Sequence, residues 1–384
     1  MNGAAQFGIY VHWPFCAAKC PYCDFNSHVA ETIDHEAWRK AYEAELSYFA
    51  NLTKGRTVSS VFFGGGTPSL MEPATAQKVI DNIQRHWRIS NDCEITLEAN
   101  PTSVEIDKFR AFRMAGINRV SIGVQSLIER DLDFLGRRHD AGQAKRAIDS
   151  AAQVFDRYSF DLIYARPQQT VSDWERELRE ALPLVRDHLS LYQLTIEKGT
   201  PFYMRHERGE FKIPDEEVAG DLYEITQDIL ESEGMRAYEV SNHARDGRES
   251  RHNLTYWRYT DYVGIGPGAH GRLTFDGRKQ ATRGHRAPDV WMAKVFESGH
   301  GCHDFEALSH EDRFTECLMM GLRLAEGIPV ARLEEEGGKP FAQLIAPQKI
   351  EALRGEGLLT FDGSNLAATK AGLQRLNGVL SYLL

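Results

Sequence analysis

Phe7 to Phe25 reads FGIYVHWPFCAAKCPYCDF. Phe7 to Val11 is a short apolar run of strand type, and it leads directly into a loop that carries Cys16, Cys20 and Cys23 at C-x3-C-x2-C spacing. Pro14 and Pro21 punctuate the loop. Three thiols this close can converge on one metal centre but cannot build a disulfide framework. A closed zinc site takes four protein ligands, and Cys93, Cys302 and Cys317 are isolated and distant, so a zinc reading needs His12 or His28. A cuboidal four-iron cluster normally takes four thiolates, so three would leave one iron open to a small ligand.

Outward from this loop, strand and helix signals alternate. Glu36 to Leu52 is helical, with Trp38, Tyr42, Leu46 and Phe49 on one side. Ser59 to Phe63 is a buried strand, Pro73 to Trp87 a helix, Glu94 to Leu97 a strand, and Ser103 caps a helix that stops at Gly116. Arg119 to Val124, Phe160 to Tyr164 and Leu189 to Ile196 read as strands, separated by helices at Ala141 to Phe155 and Asp173 to Val185. Such alternation means βαβ units and a parallel sheet. Only about six units are readable before the pattern changes near Thr200, which predicts a partial, open β/α barrel.

The unusual residues fall at the C-terminal ends of these strands, where β/α barrels carry their chemistry. They are the cysteines, the turn Gly64-Gly65-Gly66-Thr67-Pro68, Glu98 and Gln125. The glycines let backbone approach a ligand closely, although a tight turn without ligand would look the same. The turn is neither a Walker loop nor a dinucleotide fingerprint. Glu98 suits a ribose hydroxyl or an ammonium partner if buried, and is an ordinary surface carboxylate if not.

The cysteine run resembles the signature of the radical S-adenosylmethionine (SAM) superfamily. The resemblance implies a [4Fe-4S] cluster on Cys16, Cys20 and Cys23, whose open iron takes the amino and carboxylate groups of SAM, with a 5′-deoxyadenosyl radical released on reduction. YVHWPFCAAKCPYCDF, FFGGGTP, EANP, GVQS, LGRRH and DLIYARPQQT together resemble the oxygen-independent coproporphyrinogen III oxidase family (the HemN-like group) from Tyr10 to about Gly271. By motif position, that resemblance implies that Tyr10, Gly65 and Glu98 contact the cluster-bound SAM. Tyr22, Gly66, Thr67, Gln125, Arg137 and Asp161 match the positions of a second SAM. Thr67 stands where the superfamily's GGE-type turn has its acid, and Arg137 and Asp161 alone would read as a solvated charge and a turn residue.

Two departures point to the related heme chaperones called HemW. Phe25 replaces a further cysteine of the oxidase, and only nine residues precede Tyr10. His252-Asn253-Leu254-Thr255-Tyr256-Trp257 is similar to the HNxxYW heme motif of those chaperones. The similarity implies heme on His252, with Tyr256 and Trp257 against the porphyrin face. By itself, His252 reads as a loop or core histidine. Gly264 to His270 reads as a strand turning near the SAM adenine, and a heme-ligand role for His270 has no support in the sequence.

The chain has 384 residues and a formal net charge of −10, with ordinary globular composition. The acidity argues against nucleic-acid partners. No signal peptide or membrane span is apparent, and few, clustered cysteines predict the reducing cytoplasm. The organisation expected is a radical SAM partial (β/α)6 barrel over 1–200, a linking region with HNxxYW over 201–305, and a small α+β, winged-helix-type C-terminal domain over 306–384. Pro214 to Gly234 reads as an amphipathic helix. Helices are expected at His310 to Leu324, Val330 to Glu335, Pro340 to Arg354 and from Lys370, with a strand at Leu358 to Phe361 and a turn at Asp362 to Asn365. Glu334-Glu335-Glu336 argues against DNA binding by this domain.

Two functions follow from the resemblance. One is a heme chaperone that holds heme, a [4Fe-4S] cluster and SAM and delivers heme to respiratory, membrane-associated or other heme proteins; a homodimer is compatible with it. The alternative is a coproporphyrinogen III oxidase that decarboxylates propionates to vinyls.

Overall fold

The computed structural model describes residues 7–384. The leader before Phe7, on which part of the reading of a short N-terminus rests, lies outside the described residues. Six parallel strands alternate with helices: β1 (Gly8–Trp13), α1 (His35–Leu52), β2 (Thr57–Gly65), α2 (Pro73–His86), β3 (Arg88–Ala99), α3 (Ile106–Met114), β4 (Arg119–Gln125), α4 (Ala141–Val154), β5 (Arg157–Tyr164), α5 (Val171–Ala181) and β6 (His188–Gln193). Trp38, Tyr42, Leu46 and Phe49 form the buried stripe of α1. A capping box of Asp140 and Gln143 starts α4.

The sheet is wider than the sequence pattern suggests. Six further strands are β7 (Arg236–Glu239), β8 (Asn242–Ala244), β9 (Tyr262–Ile265), β10 (His270–Phe275), β11 (Arg278–Arg283) and β12 (Glu306–Ala307). The order is β12-β11-β10-β9-β1-β2-β3-β4-β5-β6-β8-β7, with no pairing between the two ends among the described residues. The sheet is therefore an open, partial barrel. β9 lies parallel to β1, whereas β10 to β12 on one side and β7 and β8 on the other are antiparallel. Antiparallel hairpins need no crossover helix, so these edges carry no βαβ signature in the sequence.

Several expectations shift. β2 and β3 run longer than the apolar runs Ser59 to Phe63 and Glu94 to Leu97, because polar ends such as Arg88 and Asn91 still pair or extend the strand. Ser103 does not cap a helix: Pro101–Ser103 form a 3-10 turn, the Ser103 hydroxyl donates to the Asn100 carbonyl, and α3 starts later. An extra short helix, Glu129–Phe134, follows β4.

The expected helix Pro340 to Arg354 is two, Phe341–Leu344 and Pro347–Gly355, because Pro347 cannot continue a helix from residue 346 and instead opens the next one. The last helix is likewise split, into Lys370–Gln374 and Leu376–Leu383. A three-stranded sheet (Ile328–Pro329, Asn365–Ala368, Leu359–Phe361) completes this region. One buried apolar cluster runs through the large sheet and its helices. A second gathers Phe314, Leu318, Leu333, Ile350 and Leu380 under the C-terminal helices.

Candidate functional site

The C-terminal ends of β1 to β6 open on one side of the sheet, where the cysteine loop lies. Phe15–Cys16 pairs with His28–Val29 as a two-residue parallel bridge that closes the loop at its base. The glycine turn after β2 then holds the loop. The amides of Gly66 and Thr67 donate to the carbonyls of Trp13 (2.7 Å) and Phe15 (2.8 Å). A Cβ on Gly66 would lie 2.6 Å from the Phe15 carbonyl oxygen, and one on Gly65, at φ +112°, would lie 2.5 Å from the His12 ring. The triplet is thus required by the approach of the turn to β1 and the loop.

Three thiols occupy the loop, all partly exposed. The Thr67 hydroxyl donates to Cys16 Sγ at 3.4 Å. One Arg137 nitrogen donates to Cys20 Sγ (3.3 Å) and the Tyr22 hydroxyl (3.4 Å), while the other holds the Gly123 carbonyl (2.7 Å). Burial raises the thiol pKa of Cys16 and Cys23, and repulsion from neighbouring cysteines adds to it; the Thr67 hydroxyl and Arg137 oppose the rise at Cys16. Three thiols whose ionised forms would repel one another, beside the Arg137 guanidinium, fit a group that binds thiolates and spreads their charge.

The geometry also bears on the zinc alternative. Among the described residues no three His, Cys, Asp or Glu side chains are grouped closely enough for a single metal ion. His12 is committed elsewhere. Its Nε2 must donate to the Asn26 carbonyl (2.9 Å), so its Nδ1 accepts from the Tyr10 hydroxyl (2.9 Å). Burial, opposed by the Asn26 carbonyl and aided by His28 and His270, lowers its pKa to about 4.

Two cavities meet beside the loop. The larger, about 1320 Å³, is lined by Tyr22, Cys23, Glu98, Gln125 and Asp161, and closed in part by residues 373–378. Gln125 reaches it through a register shift between Ile122 and Gln125 and a left-handed backbone at φ 72°. Glu98 accepts from the Gly65 amide (3.2 Å), and the Ser121 hydroxyl donates to Asp161 (3.3 Å). Glu98 keeps some surface open to the cavity but lies deep in the molecule. Desolvation, with repulsion from Asp161, pushes its pKa to about 8. Asp161 rises to about 6 from burial, moderated by Ser190, Arg119 and Ser121. Two buried carboxylates that repel one another favour a cationic ligand, and SAM carries an ammonium and a sulfonium.

The second cavity, about 620 Å³, is lined by Tyr10, Gly65 and Glu98, by Tyr256, Trp257 and Tyr262, and by His270, Arg272, Arg283 and Arg286. Phe25 and Glu98 line both cavities. Arg323 lies 4.6 Å above the Trp257 ring.

The HNxxYW run forms a short helix, Arg251–Trp257, capped by Ser250. It brings Tyr256 and Trp257 to the second cavity but leaves His252 behind the wall, 2% exposed. The His252 ring stacks on Phe62 (4.3 Å between centroids) and Tyr10 (5.9 Å) and meets Tyr256 edge-on (4.4 Å). Neither ring nitrogen has a hydrogen-bond partner among the described residues, and burial lowers the pKa to about 3. Cys16, Cys20, Gly66, Thr67 and Arg137 also stand behind the cavity surfaces, around the loop. Sequence reasoning did not pick out Phe25 as a shared wall, or the arginines of β10 and β11.

Residues 10–181 match the Radical SAM superfamily, and 308–375 match the HemN C-terminal domain. The chain is 40% identical to the mitochondrial radical S-adenosyl methionine domain-containing protein 1 of Bos taurus over 389 residues, 100% of this chain and 88% of the relative. It is 38% identical to the heme chaperone HemW of Escherichia coli (strain K12) over 380 residues, 98% and 97% of the two chains. The solved structure of coproporphyrinogen III oxidase (HemN) from Escherichia coli, a radical SAM enzyme, aligns with a TM-score of 0.81 at 23% identity, covering 99% of this chain and 90% of that one. The chain belongs to the radical SAM superfamily, and within it to the family that holds the HemW chaperones and the mitochondrial domain-containing protein 1.

Proposed function

We propose that this chain is a heme chaperone on a radical SAM scaffold, working in the cytoplasm. Cys16, Cys20 and Cys23 would hold a [4Fe-4S] cluster, which supplies an electron donor beside a bound SAM. Tyr10, Gly65 and Glu98 would contact that SAM. Tyr22, Gly66, Thr67, Gln125, Arg137 and Asp161 would hold a second one, and Arg137 donates to Cys20 Sγ and the Tyr22 hydroxyl. Heme would sit against Tyr256 and Trp257, in front of His252, and pass to heme-accepting proteins, respiratory ones among them; a homodimer is compatible with this arrangement.

The observation that carries this reading is the placement of the HNxxYW helix. The segment that sets the sequence apart from the oxidase forms one wall of a cavity opening beside the cysteine loop. Heme is flat, apolar on its faces and anionic at its propionates, and that cavity offers aromatic walls and a cationic side.

No helix of the described residues is long and apolar enough to cross a membrane, so delivery to a membrane-associated acceptor would take place by docking. The test is anaerobic reconstitution with iron and sulfide, followed by titration with hemin watched by absorbance. One heme bound per chain is expected. The same preparation, given SAM, reductant and coproporphyrinogen III, should yield no protoporphyrinogen. Product without stoichiometric heme binding would overturn the proposal in favour of the oxidase.

A further inference from the structure

The cationic side of the second cavity has an organisation that the chaperone reading does not require. β10 and β11 form a hairpin in which His270 lies directly opposite Arg283. Directly opposed residues share a face of the sheet, and so do residues two apart on one strand, which places His270, Arg272 and Arg283 together.

The three arginines that line the cavity are not equivalent. Arg272 is spent, since its guanidinium makes a two-point ion pair with Glu316 at 2.8 and 2.7 Å. Arg283 and Arg286 are exposed, and no carboxylate of the described residues pairs with either. His270 makes no side-chain hydrogen bond among the described residues. Desolvation, with the three guanidinium groups around it, keeps its pKa below the ordinary value, so its imidazole is neutral near pH 7, the form that can donate a lone pair to iron. The same cavity is lined by Tyr256 and Trp257, and by Tyr262, which pairs with Arg272 across β9 and β10. An aromatic wall, an unpaired pair of guanidinium groups and a neutral imidazole match a planar iron complex that carries carboxylates.

Resting on the chaperone reading, we propose that Arg283 and Arg286 take the heme propionates and that His270 is the side chain presented to the iron, while His252 is a positioning residue. His252 fills an apolar slot between Phe62, Tyr10 and Tyr256, and so holds two aromatic walls of the cavity from behind. The site is also tied to the cysteine loop. The Asn26 side-chain amide donates to the carbonyls of Pro267 (3.0 Å) and Arg286 (2.9 Å), and a Cβ on Gly268 would lie 2.5 Å from it.

The experiment compares hemin with its propionate dimethyl ester, titrated into the anaerobically reconstituted full chain, with iron content and circular dichroism as folding controls. R283Q/R286Q is expected to weaken hemin binding by roughly thirtyfold or more, from the loss of two charge-assisted contacts, and to leave the ester's affinity within about twofold. H270A should bind heme with a shifted Soret band and a changed electron paramagnetic resonance signal. H252F, which fills the slot but has no ring nitrogen, should keep the wild-type spectrum. Wild-type hemin affinity in R283Q/R286Q, or a wild-type spectrum in H270A together with loss of the ligand signal in H252F, would overturn this proposal alone. If the wild-type chain bound no hemin, the chaperone reading itself would fall, and this assignment with it.

Discussion

The two cavities share Phe25 and Glu98 yet are opposite in charge. The larger is acidic, with Glu98, Asp161, Glu197, Glu217 and Glu224 on its walls and Arg323 and Arg375 as cations. The smaller presents His270, Arg283 and Arg286 to solvent, with its own acid, Glu316, neutralised by Arg272. Because buried charge seeks its opposite, adjoining spaces of opposite sign select different ligands. A sulfonium with an ammonium group suits the first, and a dicarboxylate macrocycle suits the second. On the chaperone reading, one scaffold would hold its cofactor on the acidic side and its cargo beside the β9 to β11 edge of the sheet.

The change that should break the contrast most severely strikes the element supporting the acidic side. Gly66→Ala puts a methyl group 2.6 Å from the Phe15 carbonyl oxygen, and the obstacle is backbone, which cannot swing aside. A cost of about 2 kcal/mol is expected, seen in urea unfolding. Iron content after reconstitution should also fall by more than half, because the loop loses its two amide anchors. Full iron loading at wild-type stability would mean that the turn does not hold the loop.

A smaller effect concerns the charge of the acidic side itself. The Glu98 carboxyl pKa is raised from 4.5 to about 8. In the unliganded chain, the folded state therefore binds a proton that the unfolded state has lost between these values. Stability conferred by that retained proton decreases as pH rises from about 4.5 toward 8, and a penalty remains above. A cationic ligand favours the ionised form, so its binding expels the proton and tightens with rising pH. SAM affinity should increase up to about eightfold between pH 7 and 8.5, as the ionised fraction of Glu98 rises, and Glu98→Gln should flatten that slope. Calorimetry in buffers of different ionisation enthalpy checks the released proton. A slope that survives in Glu98→Gln would mean that another group releases the proton, because Asp161, raised to about 6, is already mostly ionised in this range.

The two sides also differ in how far the sequence reveals them. The acidic side is legible in part, because Glu98 and Gln125 fall at the C-terminal ends of βαβ strands and the punctuation is strong: cysteines after β1, glycines at the end of β2, Asn100-Pro101 after β3. Asp161, inside β5, and Glu217 and Glu224, on the helix Glu216–Ser232, carry no such signal. Even there, the sequence does not show that the Gly66 and Thr67 amides are consumed by the loop.

The basic side is nearly illegible. Arg272, Arg283 and Arg286 each read as solvated charges, and only the pairing of His270 with Arg283 in an antiparallel hairpin gathers them. HNxxYW is conspicuous as a motif, but the run is too short for periodicity to orient its helix. The sequence therefore cannot show that its histidine faces Phe62 while Tyr256 and Trp257 face the cavity.

The smallest expected effect tests whether the two spaces are separate at all. Phe25 is 58% exposed although it is aromatic, and it lines both cavities at the end of the cysteine loop. A ring placed there offers a face to a flat ligand in the basic cavity, worth about 1 kcal/mol beyond simple burial, or roughly fivefold in affinity. Phe25→Ala should weaken hemin binding by about that factor while leaving SAM affinity within twofold, since charge rather than aromatic contact holds the cationic ligand. Hemin titration and equilibrium dialysis of SAM on one preparation give both numbers. If the two affinities fell together, Phe25 would be part of one continuous site, and the contrast of charge would describe two ends of a single ligand-binding space.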